Sequence, residues 1–350
     1  MKAVVIHAPG DIRYQEVPLS SLNSNEVRVA VRAAGICSTD LGRALGGKAY
    51  FYPIILGHEL AGEVTEVGSE VQGIEVGDHC AVAPLLPCFQ CKWCERGQYS
   101  LCDNYNFLGS RTAGGFAEYV TVPSRNLVPL PSFLSFEVGA LLEPTAVALH
   151  GLMRGDLKAG DRVVVMGTGT LGLIMAQLSR ALGASQVIVS DVLPYRLQLG
   201  AKLGFIALPA DQVFPQRIRE ATGGLGADIA IETAGNPQAL KNCLKAVRKG
   251  GKIISLGLQQ GELNIDQELA QRVVREELSL IGSWNSYSAP FPGREWSAGV
   301  DYLARRLVLV EPLISHRFEL YQASEAFAIL ASGADEVIKA IFIIGKGDEV

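Results

Sequence analysis

Four cysteines crowd into one short stretch, Cys88-Phe-Gln-Cys91-Lys-Trp-Cys94 followed by Cys102, spaced C-x2-C-x2-C-x7-C. Four thiolates in one loop can close a tetrahedral shell around a single ion. With no position left open, that ion would be structural. The spacing does not match the common ferredoxin runs, and nothing argues for the oxidising compartment that a disulfide framework needs. The other cysteines, Cys37, Cys80 and Cys243, are scattered. An odd total with one tight cluster favours metal binding. A second set of ligand types is more dispersed: Cys37 and the triplet Gly57-His58-Glu59. Cysteine and histidine suit zinc, and Glu59 or Glu143 could add an oxygen ligand. Three protein ligands plus an exchangeable water would make an open, catalytic site. Taken singly, each of these residues is as readily a buried thiol, a satisfied core histidine or a surface acid.

A third constellation is Gly167-Thr-Gly169-Thr170-Leu171-Gly172. It follows the apolar run Val163–Met166 directly and opens a helical pattern, Leu171–Leu182. In that setting the first glycine permits a tight turn, and the second lets the backbone approach a pyrophosphate. The third lets helix pack on strand, while the helix N-terminus offers oriented N–H groups to the anion. Asp191 ends the next strand, 19 residues past Gly172. A carboxylate there accepts from both ribose hydroxyls and repels a 2′-phosphate, which favours NAD over NADP. Arg196 is placed to cover the adenine side.

Two rhythms must position these groups. Up to about residue 130 the chain reads as β-rich, with Val27–Val31, Glu63–Val67 and Glu118–Val122 alternating or β-branched between glycine turns. That pattern suggests a partly open antiparallel barrel. Near residue 150 it changes to apolar strands separated by helical or loop segments: Arg162–Met166, Gln186–Ser190, Asp228–Glu232, Lys252–Leu256 and Leu278–Ile281. Strands that are apolar throughout indicate a parallel sheet covered on both faces, hence an α/β class. After about residue 286 come a proline-rich loop, a helix over Trp296–Arg306 and a terminal strand over Lys339–Ile344. This tail is too small to stand alone and is expected to complete the first domain.

The bulk properties set limits. The 350 residues suggest about two domains. A net charge of -5 without a basic patch makes nucleic acid a poor partner. No apolar stretch is long enough to span a bilayer and the start is unlike a secretory signal, so a cytoplasmic location is the default expectation.

Taken in order, Gly35-Ile-Cys37-Ser-Thr39-Asp40, Leu56-Gly-His58-Glu59-Leu-Ala-Gly62, the four-cysteine loop, Gly114-Gly-Phe-Ala-Glu-Tyr119, Leu142-Glu143-Pro144 and the glycine turn resemble the zinc-containing medium-chain dehydrogenase/reductase family. Glu143-Pro144 and the His58-Glu59 pair look like its polyol branch. The resemblance covers essentially the whole chain. It implies a doubly wound parallel-sheet nucleotide domain (151–285) inserted in a β-rich, GroES-like barrel catalytic domain (1–150 and 286–350). It implies that Cys37 and His58 hold a catalytic zinc, with Glu59 and Glu143 completing or exchanging in its shell. It likewise implies that Cys88, Cys91, Cys94 and Cys102 hold a structural zinc. The expected reaction is NAD-linked oxidation of a secondary alcohol of a polyol or of a polyol phosphate like galactitol 1-phosphate. Sorbitol and threonine are the alternative substrates, and an NAD-binding redox sensor with only structural zinc is the alternative class. A homodimer or homotetramer is expected, through the apolar run at Leu278.

This chain departs from many relatives at Ser38, where they carry glycine, and no histidine follows Thr39 within ten residues. A histidine proton relay there is therefore unavailable, and the proton is expected to leave through Thr39 to solvent, Glu59 or Glu143. For a substrate phosphate, Arg43, Lys48 and Arg111 are the candidates. Arg111, set between Gly-Ser and Gly-Gly in a loop, is the favoured one.

Overall fold

A computed structural model describes residues 1–333 and 335–345. Its chain contacts divide into two compact units: Met1–Ala146 with Tyr287–Arg305 and the tail from Val310, and Val147–Ser286 with Arg306–Leu309.

The first unit is built on the strand Glu26–Ile36. Its run of valines and alanines is buried on both faces, so it can carry neighbours on every side. It pairs antiparallel with Glu59–Val67, Tyr119–Pro123 and the tail strand Lys339–Ile343. The sheet continues from Glu59–Val67 through His79–Val82 to Leu127–Pro129, and from the tail strand to Ile314–Glu319. The register against Glu59–Val67 shifts twice, between Arg28 and Val29 and between Val31 and Ala33. Such bulges bend a strand and increase its twist, which curls the sheet. A smaller sheet joins Asp11–Glu16, Lys2–Ala8 and Ile54–Ile55. Side chains between the layers, among them Ile6, Val29, Leu60, Val64, Phe116 and Phe342, form one buried cluster. The Phe116 and Phe342 rings meet edge to face at 4.9 Å.

The second unit holds six parallel strands in the order Ile206–Pro209, Gln186–Asp191, Arg162–Met166, Ala227–Glu232, Val247–Ser255, Ser279–Gly282. The chain winds outward one way from Arg162–Met166 and then the other. The topological switch point therefore lies between that strand and Ala227–Glu232. The helix Thr170–Ala181 is largely apolar, and its residues from Gly172 to Ser179 are buried.

Some elements did not stand out in the sequence, among them two strands and a helix near the end of the chain. The strand Ile206–Pro209 is a short edge strand ending in proline, and Ile314–Glu319 has several exposed side chains. The helix Ala323–Ser332 buries only Ala323, Ala326 and Phe327. The tail helix runs over Arg294–Ala304, two residues earlier than its pattern suggested. None of the helices among the described residues is long and apolar enough to cross a membrane.

Asp228 pins the N-terminal edge of the parallel sheet. It accepts from Arg162 N at 2.8 Å and Arg162 Nε at 2.9 Å, and it pairs with Arg248. Partial burial raises its pKa, but the two guanidinium groups outweigh that and bring it down to about 2. A folded pKa below the unfolded one gives stability that is present above about pH 4 and lost as pH falls through about 2. Asp228→Asn should therefore cost about 2 kcal/mol at pH 7. In urea melts, the gap between wild type and variant should close towards pH 2. A gap independent of pH would refute this assignment.

Candidate functional site

The Cys88–Cys102 loop leaves one strand, Leu85–Leu86, and returns in its antiparallel partner, Asn106–Phe107. Neighbouring sulfurs lie 3.4 Å (Cys88–Cys102), 3.6 Å (Cys91–Cys94), 3.9 Å (Cys91–Cys102) and 4.0 Å (Cys88–Cys94) apart. A tetrahedron with metal–sulfur bonds of about 2.3 Å has edges of about 3.8 Å, so the set fits a zinc ion. A disulfide needs sulfurs about 2.05 Å apart, and all the cysteines are free. The backbone N–H groups of Asp103 and Cys94 bring the Cys91 thiol down to about 6, whereas burial pushes Cys94 up to about 12. A dication would be needed to ionise all four. Aromatic rings replace an apolar core in this lobe: Phe89, Tyr99 and Phe291 meet pairwise at 5.4–5.5 Å, and Tyr287 stacks on Phe291. The Tyr287 hydroxyl accepts from Leu85 N at 3.0 Å, and Tyr287 N donates to Ser100 Oγ at 3.2 Å.

Cys37 follows the strand Glu26–Ile36 and is the N-cap of the helix Ser38–Ala44. The register that sets Gly35 opposite Glu59 brings His58 and Glu59 alongside it. Ligand atoms of Cys37, His58 and Glu59 all lie within 4.8 Å of one another, and His58 and Glu59 are buried. Thiol, imidazole and carboxylate around one point are a donor set that fits zinc with a position left open. Two residues unassigned in the sequence hold this trio. Asp40, fully buried, accepts from Cys37 N at 3.0 Å and lies 3.5 Å from His58 Nδ1. Carboxylates in that position orient a ligating imidazole. Burial opposes charge on both groups, but their attraction wins, holding Asp40 below and His58 well above the ordinary value. Lys339, also buried, forms an ion pair with Glu59 and donates to Ile36 O at 3.0 Å. Gly35 makes room for this pair, because a Cβ there would collide with the Glu59 carboxylate. Asp40 was inside a quoted motif. Lys339 carried no local signal and arrives only through strand pairing.

Glu143, near the start of the helix Leu142–Arg154, is buried but is not one of the trio's close ligand atoms. Burial, helped by the charges of Glu59 and Asp40, pushes its carboxyl up to about 7. Thr39 accepts a hydrogen bond at 3.0 Å from Arg43 Nη1. The Phe107 ring stands edge-on to His58 at 5.7 Å. The turn after Phe107 carries Arg111, whose guanidinium lies between the rings of Tyr50 (4.6 Å) and Tyr105 (4.2 Å).

In the second unit, Gly167 has a φ of +96°, and a Cβ there would lie 2.8 Å from Thr233 Oγ1. A Cβ on Gly172 would strike the Gly167 carbonyl, whereas Gly169 faces open space apart from Arg196 Nη1 at 3.8 Å. Gly169 is the N-cap of the helix over Thr170–Ala181, in which Leu171 and Gly172 form the first turn. Asp191 accepts from Thr168 N at 2.8 Å and Leu193 N at 3.0 Å, and Arg196 Nη1 is 3.6 Å away. One further residue had no sequence signal. Glu232, fully buried, accepts from Gly235 N at 2.7 Å and Gln259 Nε2 at 2.8 Å, which ties two loops together at the C-terminal edge of the sheet.

In the metal-free chain, Lys339→Met leaves Glu59 buried without its partner and should lower stability by about 3–5 kcal/mol at pH 7. Urea denaturation measures this. A loss under about 1 kcal/mol would mean that the pair does not hold the carboxylate.

Residues 23–132 match the alcohol dehydrogenase GroES-like domain and residues 170–304 the zinc-binding dehydrogenase domain. Galactitol 1-phosphate 5-dehydrogenase of Escherichia coli K12 is 35% identical over 95% of this chain and 97% of its own. L-threonine 3-dehydrogenase of Symbiobacterium thermophilum is 37% identical over 91% of each. The crystal structure of galactitol-1-phosphate dehydrogenase from E. coli superposes with a TM-score of 0.93 at 35% identity, covering 98% of this chain and 100% of that one.

Proposed function

The chain belongs to the zinc-containing medium-chain dehydrogenase/reductase family, and on that premise we propose that it oxidises a secondary alcohol of a polyol or polyol phosphate, of the galactitol 1-phosphate kind, with NAD as acceptor. It is an oxidoreductase that works with zinc and a nicotinamide nucleotide. The observation that carries the reading is the braced trio of Cys37, His58 and Glu59 beside Thr39. These three would hold a catalytic zinc, with Glu143 the residue that could exchange into its shell. Cys88, Cys91, Cys94 and Cys102 would hold a structural one.

Bound zinc would acidify the substrate hydroxyl, and bound NAD would accept the hydride. The protein's own groups do the rest. Asp40 keeps His58 turned to its ligand position, and Lys339 does the same for Glu59. Thr39 takes the hydroxyl proton and passes it to solvent or to Glu143. Its other neighbour, Arg43, is a permanent cation that cannot accept one. Gly167, Gly169, Thr170, Leu171 and Gly172 would hold the pyrophosphate of a bound dinucleotide at the helix N-terminus, Asp191 would accept from the ribose hydroxyls, and Arg196 would serve the adenine side. Asp191 is the residue that favours NAD over NADP. The edge strand Ser279–Gly282, with Leu280 half exposed, would pair with its twin in a homodimer or homotetramer. The comparable identity to a threonine dehydrogenase makes threonine the second substrate to test.

Purified enzyme should carry about two zinc per chain, and Cys94→Ser about one. A wild-type value near one would instead fit a nucleotide-binding sensor. NAD reduction should be fastest with galactitol 1-phosphate among galactitol, sorbitol and threonine, and a preference for threonine would sink the polyol reading. Asp40→Asn should lower zinc affinity or kcat/KM about 10–100-fold, as read by metal titration and initial rates.

A further inference from the structure

Two arginines flank the trio's lobe, and their surroundings differ. Arg111 is held on both of its terminal nitrogens. Its guanidinium packs on the rings of Tyr50 and Tyr105, and Nη1 donates to Tyr105 O and Nη2 to the Tyr50 hydroxyl, each at 3.3 Å. Its Nη1 and Nη2 donors hold the segments around Tyr50 and Tyr105 together, while Nε, buried and without a hydrogen-bond partner, is closed to solvent.

Arg43 is committed on one side only. Nη1 donates to Thr39 Oγ1 at 3.0 Å and to Asp40 Oδ1 at 3.4 Å. Nε and Nη2 have no partner among the described residues. These two N–H groups make up the side-on edge of the guanidinium, which matches the paired oxygens of a phosphate or carboxylate. The side chain is only 19% exposed, so it is held rather than free in solvent. The Tyr52 hydroxyl donates to Arg43 O at 2.6 Å and fixes its backbone. Asp40 Oδ1 is shared between Arg43 and His58, which places the guanidinium one carboxylate oxygen from the ligand imidazole. The other buried cation at the trio, Lys339, is neutralised by Glu59. Arg43 is thus the cation beside Thr39 that still has donors to offer.

We propose that Arg43 determines substrate class, its open Nε–Nη2 edge binding a terminal anionic group, a phosphate monoester first, on a polyol whose carbinol hydroxyl reaches Thr39. The proposal rests on the polyol reading given above. Phosphate and carboxylate share the oxygen geometry that the fork reads. Comparing galactitol 1-phosphate with galactonate, each against galactitol, separates them.

The test uses zinc-loaded enzyme at saturating NAD. Arg43→Gln should lower the ratio of kcat/KM for galactitol 1-phosphate over galactitol about a hundredfold, chiefly through KM, and Arg43→Lys should restore part of it. Arg111→Gln should leave that ratio within about threefold of wild type. An equal fall for both substrates in Arg43→Gln, with a shifted pH profile, would show that Arg43 acts only through Thr39 and would overturn the proposal. So would a ratio lost in Arg111→Gln but kept in Arg43→Gln. A second measurement does not depend on the alcohol. Inorganic phosphate titrated calorimetrically into the NAD-bound enzyme should bind about tenfold more weakly to Arg43→Gln than to wild type, and equal binding would overturn the proposal. If neither polyol is turned over, the polyol reading fails while this titration still decides the role of Arg43.

Discussion

A lysine and a glutamate are buried together where the tail strand meets Glu26–Ile36, and the arrangement of the trio depends on their neutralising each other. Burying either charge alone would cost several kcal/mol, so the Lys339–Glu59 pair holds only while both strands keep their register. An apolar pair of similar volume could stabilise the unit as well. What the ion pair adds is direction: it fixes the Glu59 carboxylate beside Cys37 and His58. Asp40 does for the imidazole what Lys339 does for the carboxylate. The ligand set is therefore oriented by contacts behind it, at the modest expense of a glycine at position 35.

The four-cysteine lobe meets a different constraint. It has little apolar core, and its position is fixed by metal-type cysteine spacing, by packed aromatic rings and by two hydrogen bonds to Tyr287. Because the lobe departs from and returns to the paired strands Leu85–Leu86 and Asn106–Phe107, its order is shared with Phe107, which stands against His58. Disorder in the lobe would accordingly loosen the packing around the imidazole as well.

In the second unit the governing fact is the reversal of strand order beside Arg162–Met166, which leaves a crevice at the C-terminal ends of the strands. The glycine turn lies there, and Thr233 donates to the carbonyls of Met166 and Gly167 at 3.1 and 2.9 Å. Glu232 knits the adjoining loops with buried hydrogen bonds, so the backbone around the turn is set before any ligand arrives.

The cysteine cluster, the glycine turn with its strand and helix, and the parallel-sheet class were all legible in the amino-acid order. The spacing of the cysteines and of the glycines acts between neighbours a few residues apart, and the sheet class shows in runs that are apolar throughout. The ordered motifs also marked Cys37, His58 and Glu59, though each alone was as readily a core or surface residue. Beyond that, the answer lay in pairings across long stretches of chain. Lys339 reaches Glu59 only because the tail strand joins Glu26–Ile36. Asp40 becomes a brace only where His58, just before the strand Glu59–Val67, meets it. Arg111 and Arg43 are alike as letters, yet tyrosines brought in from two loops enclose the first and leave the second with an open edge. Spacing along the chain determines which groups can share an ion or a turn. Strand register and burial, which no local window contains, decide which charges are neutralised and which remain to meet a substrate.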